Sequence, residues 1–89
     1  MAPDGIRVNA VLPGAIDTPM LRAGVARWAA PEDLSAALEA MGRKTPLGRI
    51  GSPEEIAAVV LFLAGERASF ISGQTLIVDG GATARLSTE

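Results

Sequence analysis

Two stretches of this 89-residue chain read as strands, Ile6–Leu12 and Gln74–Val78, and about sixty residues of largely helical pattern lie between them. Hairpin loops span only about two to five residues, so the second strand is reached by a crossover. The two strands are therefore expected to run parallel, with a right-handed connection. The expected fold is α/β, a piece of a doubly wound sheet: one long βαβ unit with two parallel strands and about three helices. Ligands of such sheets bind beyond the carboxyl ends of the strands, which is where residues 13–18 lie.

The first strand follows the turn tripeptide Pro3-Asp4-Gly5. Ile6, Val8, Ala10 and Leu12 point one way and Arg7, Asn9 and Val11 the other. The second face holds only two polar side chains, so the strand reads as covered on both sides. Pro13 removes a ladder donor and Gly14 permits unusual dihedrals, ending it. Thr18-Pro19 reads as an N-cap with Pro in the first helical position, opening a short helix to Arg22 or Trp28 that Gly24 interrupts. A second helix starts near Pro31-Glu32-Asp33, places Leu34, Ala37, Leu38 and Met41 on one face, and stops at Gly42. A connection rich in Gly and Pro, with a basic cluster, fills 43–51.

Ser52-Pro53-Glu54-Glu55 is a capping box, the sharpest local signal in the chain. The helix it opens runs to Ala64, is stopped by Gly65, and carries Ile56, Val59, Val60 and Leu63 with Ala57, Leu61 and Ala64 beside them. It reads as buried over most of its circumference. Asp79-Gly80-Gly81 is a turn, and the closing "ATARLSTE" looks loosely held. The expected division is a folded segment 1–82 and a flexible tail 83–89.

Ten acidic residues against eight basic ones, with no block of either sign, give no footprint for nucleic acid or an anionic membrane. Without Cys or His there is no thiolate, disulfide or ordinary zinc site. The longest apolar run, Ile56–Ala64, is nine residues, about half of the ~20 a membrane span needs. The opening residues carry neither the basic start nor the apolar stretch of a signal peptide, so a cytoplasmic protein is expected. The chain has no Tyr, a single Lys (Lys44) and no GxGxxG-type spacing among its ten glycines, and no catalytic residue is nominated. Asp17 reads as a solvated carboxylate and no metal site is expected. Asn9 reads as satisfying sheet backbone, Ser52 and Glu55 as a cap, and Asp79 as turn chemistry. Met20, Leu21, Trp28, Leu34 and Met41 read as core, as an exposed patch or, in a full enzyme, as the wall of an apolar substrate pocket.

The runs "GIRVNAVLPGAIDTPM" and "PLGRIGSPEEIAAVVLFLAGERASFISGQTLIVDGG" together resemble the C-terminal third of a short-chain dehydrogenase/reductase. This is the single-domain Rossmann family that moves hydride between NAD or NADP and a carbonyl or alcohol. The resemblance implies that Ile6–Leu12 is the sixth sheet strand and that Pro13 and Gly14 form the turn beside the nicotinamide. It further implies that Ile16 backbone groups hold the carboxamide and that Thr18 reaches the carboxamide or diphosphate. The cofactor-binding set it implies is thus Pro13, Gly14, Ile16 and Thr18. Residues 19–45 match the mobile substrate lid, Ser52–Ala64 the penultimate helix, and Gln74–Val78 the last strand, which often pairs subunits.

The family's Gly-rich loop, NNAG-type motif, catalytic Ser and YxxxK pair would all precede residue 1. The chain is accordingly expected to be a truncated oxidoreductase, inactive alone. The alternative is a non-catalytic module that joins or complements an intact family member through the Ser52–Ala64 helix and the Gln74–Val78 strand. By itself the chain is expected to be a self-associating oligomer, a marginal fold or a molten globule, because a two-stranded sheet leaves a face and an edge bare.

Overall fold

The computed structural model describes residues 4–84. Its elements follow in the order β1 (Ala10–Pro13), α1 (Pro19–Val25), a 3-10 turn at Pro31–Asp33, α2 (Leu34–Arg43), α3 (Pro53–Ala64), a second 3-10 turn at Glu66–Ala68, and β2 (Thr75–Val78). The strands are parallel, in register from Ala10 opposite Thr75 to Pro13 opposite Val78. The expected βαβ unit is therefore the observed one. Of the expected tail, residues 85–89 lie outside the described residues, as does Pro3 of the opening turn.

β1 is shorter than the alternation predicts because residues 7–9 bond to a loop instead of a strand. The Arg7 guanidinium donates to the carbonyls of Ile71 (3.1 Å) and Gly65 (3.2 Å), and Asn9 Nδ2 donates to Ile71 O (3.1 Å). Asn9 Oδ1 accepts from Gln74 N (3.0 Å), which also delays the start of β2 to Thr75. Asn9 thus has the structural role its sequence position suggested. Pro13 does not end the ladder but closes it. Ala10 and Gly14 donate to Gln74 O and Val78 O, so the alternate residues between them, Pro13 included, turn their backbone groups to the open edge. There a missing N–H costs no ladder bond.

α3 packs on the face that carries Arg7, Asn9 and Val11, bringing Val60, Leu63 and Ala64 alongside them. The apolar opposite face is bare: Val8 and Ile77 are 56% and 52% exposed, and Ile6 and Leu12 are close to half exposed. Coverage on both faces, as the composition of β1 suggested, is not what forms. α1 and α2 pack chiefly on each other, beyond the strand ends. The core is correspondingly divided, with Val25 and Leu38 buried between α1 and α2, and Leu63 and Ala68 beneath α3.

α3 is not buried over most of its circumference either. Leu63 is buried and Ile56 and Val59 half-buried, while Leu61 is 73% exposed and Val60 and Phe62 close to half. A helix lying on a two-stranded sheet has neighbours on one side only. Gly24 sits inside α1 without breaking it, and Gly42 sits inside α2 rather than stopping it. The reason for Gly42 is contact: a Cβ there would lie 2.6 Å from Arg49 Cα and 2.9 Å from Ile50 N. Among the described residues no helix is long and apolar enough to cross a membrane.

Candidate functional site

Leaving β1, the chain passes through Gly14 with no room to spare. A Cβ at this position would fall 2.6 Å from Asp79 Cβ and 2.8 Å from Asp79 Cα. Gly14 is not among the glycines of positive φ, so close approach, not an unusual dihedral, is what demands glycine here. Asp79 is fixed in turn, accepting from Thr83 N (2.9 Å), Thr83 Oγ1 (2.8 Å) and Gly81 N (3.0 Å). The Thr83 amide, first among these, holds its carboxyl below the usual range. The turn reading of Asp79 stands, and the turn reaches Ala84.

Past Gly14 the chain stays extended and bridges to the loop ahead of α3. Gly51 N donates to Ala15 O and Asp17 N donates to Gly51 O, both at 2.9 Å, around a parallel bridge between Ile16 and Gly51. Backbone groups alternate in direction along an extended chain, so the N–H and C=O of Ile16 face away from Gly51. Thr18 then caps α1: its Oγ1 accepts from Leu21 N (3.1 Å) and Pro19 takes the first helical position. That bond uses the hydroxyl's acceptor side and leaves its proton to donate elsewhere. α1 has only seven residues, about two turns, so hydrogen bonding rather than helix charge is what this end offers. Asp17 is not solvated alone. It accepts from Arg22 Nε (2.7 Å) and Nη2 (3.0 Å), and that pairing lowers its pKa.

The loop that receives Ile16 is pinned from its other side. Ser52 N donates to Glu55 Oε1 (2.9 Å) while Glu55 N donates to Ser52 Oγ (3.4 Å), the reciprocal bonds of the capping box. Arg49 adds two bonds of 2.8 Å to the same carboxylate. Arg49 first and the Ser52 amide second push the Glu55 pKa down to about 2. The cap was legible; Arg49, six positions before Glu55, was visible in the sequence only as part of a basic cluster.

An open hollow of about 690 Å³ lies beside the strand end, within the 300–1,000 Å³ usual for small-molecule sites. Its strand-end wall is Gly14, Ala15, Ile16 and Thr18. α1 and the turn after it contribute Met20, Leu21, Gly24, Val25 and Trp28, and α2 with its cap contributes Ala37, Ala40, Met41 and Lys44. Three of the four residues nominated from sequence thus share one wall, while Pro13, opposite Val78 in the ladder, is not part of the lining. Met20, Leu21, Trp28 and Met41 line it as the pocket reading had them, whereas Leu34 does not. Sequence reasoning did not place Ala15, Gly24, Val25, Ala37, Ala40 or Lys44 on this wall, although 37, 40, 41 and 44 carry the helical i, i+3, i+4, i+7 spacing. A second hollow, of about 390 Å³, includes Arg22, Arg43 and Arg49, each ion-paired with a carboxylate. The larger hollow can take an apolar body against α1 and α2, and Ile16, whose N–H and C=O face away from Gly51, is among its lining residues. Among the described lining residues Lys44 is the one ionisable residue.

Comparison with known proteins gives a consistent picture. The family profile described as Enoyl-(Acyl carrier protein) reductase matches residues 1–83. Cis-4-hydroxycyclohexanecarboxylate dehydrogenase of Sinomonas cyclohexanicum is 48% identical over 83 residues, covering 93% of this chain and 30% of that protein. 3beta-hydroxysteroid dehydrogenase 1 of Eggerthella lenta is 46% identical over 79 residues, covering 89% and 28%. Among solved structures, a short chain dehydrogenase family protein of Francisella tularensis superposes with a TM-score of 0.86 at 36% identity, covering 94% of this chain and 36% of that one. The ligand-free aldohexose dehydrogenase of Thermoplasma acidophilum gives 0.86 at 41% identity, covering 91% and 32%. The chain spans less than a third of the length of these curated relatives.

Proposed function

The chain belongs to the short-chain dehydrogenase/reductase family, and from that premise we propose that it is the C-terminal third of an NAD(P)-dependent oxidoreductase, the part that closes the nicotinamide end of the site. The observation that carries this reading is the outward-facing donor and acceptor of Ile16, set beside the Thr18 hydroxyl on the wall of the hollow. A carboxamide offers one acceptor and two donors, and Ile16 matches it with one N–H and one C=O. The residues present therefore fit the group. The cofactor, when bound, supplies hydride transfer. The chain's own residues orient the carboxamide, and the apolar side chains of α1 and α2 keep water from the reacting face.

The 89 residues contain no Tyr and so lack the family's proton donor. The isolated chain is proposed to be inactive. The test is a chimera in which residues 5–82 replace the matching segment of the Thermoplasma acidophilum aldohexose dehydrogenase. The expected outcome is NAD(P)-dependent turnover by the chimera and none by the free chain, with Ile16→Pro, which removes the N–H, raising the cofactor KM of the chimera. A chimera that melts cooperatively yet binds no cofactor sinks the reading, and turnover by the free chain sinks the claim of inactivity.

A second reading, the non-catalytic module that joins another subunit, has its own support. The accessible surface is 6666 Å², whereas a compact monomer of 9.1 kDa exposes roughly 4,900 Å². The excess is about twice the ~800 Å² that one partner contributes to a standard interface, and the exposed Leu61, Phe62, Leu76 and Ile77 lie on α3 and β2. Co-expression with an intact relative distinguishes the two: recovery of a mixed oligomer favours the module, and its absence counts against it.

A further inference from the structure

We propose that Arg49 is a positioning residue for the nicotinamide end of the site: clamped on Glu55, it fixes the loop at Gly51 and, through that loop, the outward-facing N–H and C=O of Ile16. This rests on the nicotinamide reading and deepens it by naming the residue that sets the geometry of the carboxamide contact. Gly51 lies between two planar peptide groups, and each has one edge towards residues 15–17 and the other towards the clamp. In the first, Gly51 N donates to Ala15 O (2.9 Å) while the Ile50 carbonyl accepts from Arg49 Nη1 (3.2 Å). In the second, the Gly51 carbonyl accepts from Asp17 N (2.9 Å) while Ser52 N donates to Glu55 Oε1 (2.9 Å). Arg49 and Glu55 are joined by two bonds of 2.8 Å. The near edges therefore grip the two neighbours of Ile16, and one ion pair grips both far edges. A planar trans peptide cannot turn one edge without the other, so a shift of the clamp moves Ala15 and Asp17, with Ile16 between them. The Ser52–Glu55 cap by itself reaches only the second plane. Replacing the Arg49 side chain leaves its backbone contacts to α2 in place: its carbonyl accepts from Thr45 Oγ1 (3.1 Å), and its Cα is the atom that crowds Gly42.

Amide hydrogen exchange on the 89-residue chain, followed by NMR, reads the bridge without a cofactor. Arg49→Gln is expected to speed exchange at Gly51 and Asp17 about three- to fivefold relative to Leu63 of α3, the size that an exposed ion pair allows. Arg49→Lys, which keeps the charge but not the planar fork, is expected to fall between. Glu55→Gln weakens the clamp from its other partner while keeping a residue that a capping box accepts, so the result does not hang on one variant folding. In the chimera, Arg49→Gln is expected to raise the cofactor KM by the same factor with the aldohexose KM unchanged, and Arg49→Lys to recover part of the loss. Exchange at Gly51 and Asp17 that keeps its parental ratio to Leu63 in both Gln variants overturns the clamp. Faster exchange with an unchanged cofactor KM overturns the positioning role. A parent chimera that binds no cofactor sinks the nicotinamide reading itself, a result told apart from failure of the clamp because the exchange ratio needs no cofactor.

Discussion

The junction where the end of β1 meets the start of α3 and the bare face of the sheet lie a few residues apart along β1, yet they are built on opposite principles. At the junction the polar groups are answered by other groups of the same chain, apart from the N–H and C=O of Ile16. Gly51 bridges to Ala15 and Asp17, and Glu55 serves both Ser52 and Arg49. On the sheet face, Ile6, Val8, Leu12 and Ile77 present an apolar surface that nothing in the described chain covers. The first region is held by contacts within the described chain, and the second has no cover among the described residues. Local hydrogen-bond rules act over four to six residues and work in a fragment as in a whole domain, whereas covering a sheet face requires further layers.

The most damaging way to break this contrast is to disturb the junction where backbone meets backbone. Gly14→Val would drive its side chain into Asp79, and overpacking of this kind costs about 1–3 kcal/mol. In a chain this small, the expected outcome is loss of the cooperative thermal transition. A Gly14→Val chain that melts as the parent does would show that the contact to Asp79 is not tight. Removing the cap is next in size. Ser52→Ala forfeits the N-cap bond of α3, at about 1 kcal/mol, and is expected to lower Tm by roughly 4–8 °C, with Ser52→Asp restoring most of it.

Acid tests the same junction without a mutation. The folded pKa of Glu55 is about 2 against an ordinary 4.5, and those of Asp17 and Asp79 are lowered as well. Groups whose pKa is depressed by folding stabilise the fold above their unfolded pKa and lose that contribution as pH falls towards the folded value. Tm is therefore expected to hold from pH 7 to pH 5 and to fall between pH 4.5 and pH 2. Glu55→Gln should start from a lower Tm and show a shallower fall. The smallest effect on stability is expected on the bare face. Val8→Thr with Ile77→Thr should move Tm by little more than a surface substitution does, about 0.5 kcal/mol, while lowering the oligomer mass seen by light scattering. If that pair destabilised the chain as much as Gly14→Val, the face would be covered in solution and the contrast would vanish.

The same contrast explains what was readable in the sequence. Ser52, Pro53 and Glu55 announce α3 because a cap and its partner lie within four residues, and Thr18-Pro19 announces α1 for the same reason. The two parallel strands follow from the length of the connection between them. The alternation of β1 separated its two faces correctly but could not say which is covered. α3 lies on the face with Arg7 and Asn9, because the carbonyls of Gly65 and Ile71 that follow it receive those side chains. Gly42 was read as a stop because a glycine near the end of a helical pattern usually is one. Its actual role, making room for Arg49 and Ile50, belongs to a contact that no local rule predicts. The pairing of Ile16 with Gly51 across the molecule left no mark in the sequence, which is why the four cofactor-binding residues Pro13, Gly14, Ile16 and Thr18 were nominated through resemblance.

The pairing of Ala10 with Thr75 also sets a clock. On a ribosome adding about 5–20 residues per second, β1 emerges roughly 3–13 s before the strand that hydrogen-bonds to it has been made. Helix formation takes on the order of microseconds, so α1, α2 and α3 can each form and fray many times while β1 still waits. Of the two strands, the one that waits unpaired during synthesis is thus β1, whose sheet face carries exposed apolar side chains. For this chain, translation speed between residues 14 and 74 is as much a determinant of a soluble yield as any equilibrium contact.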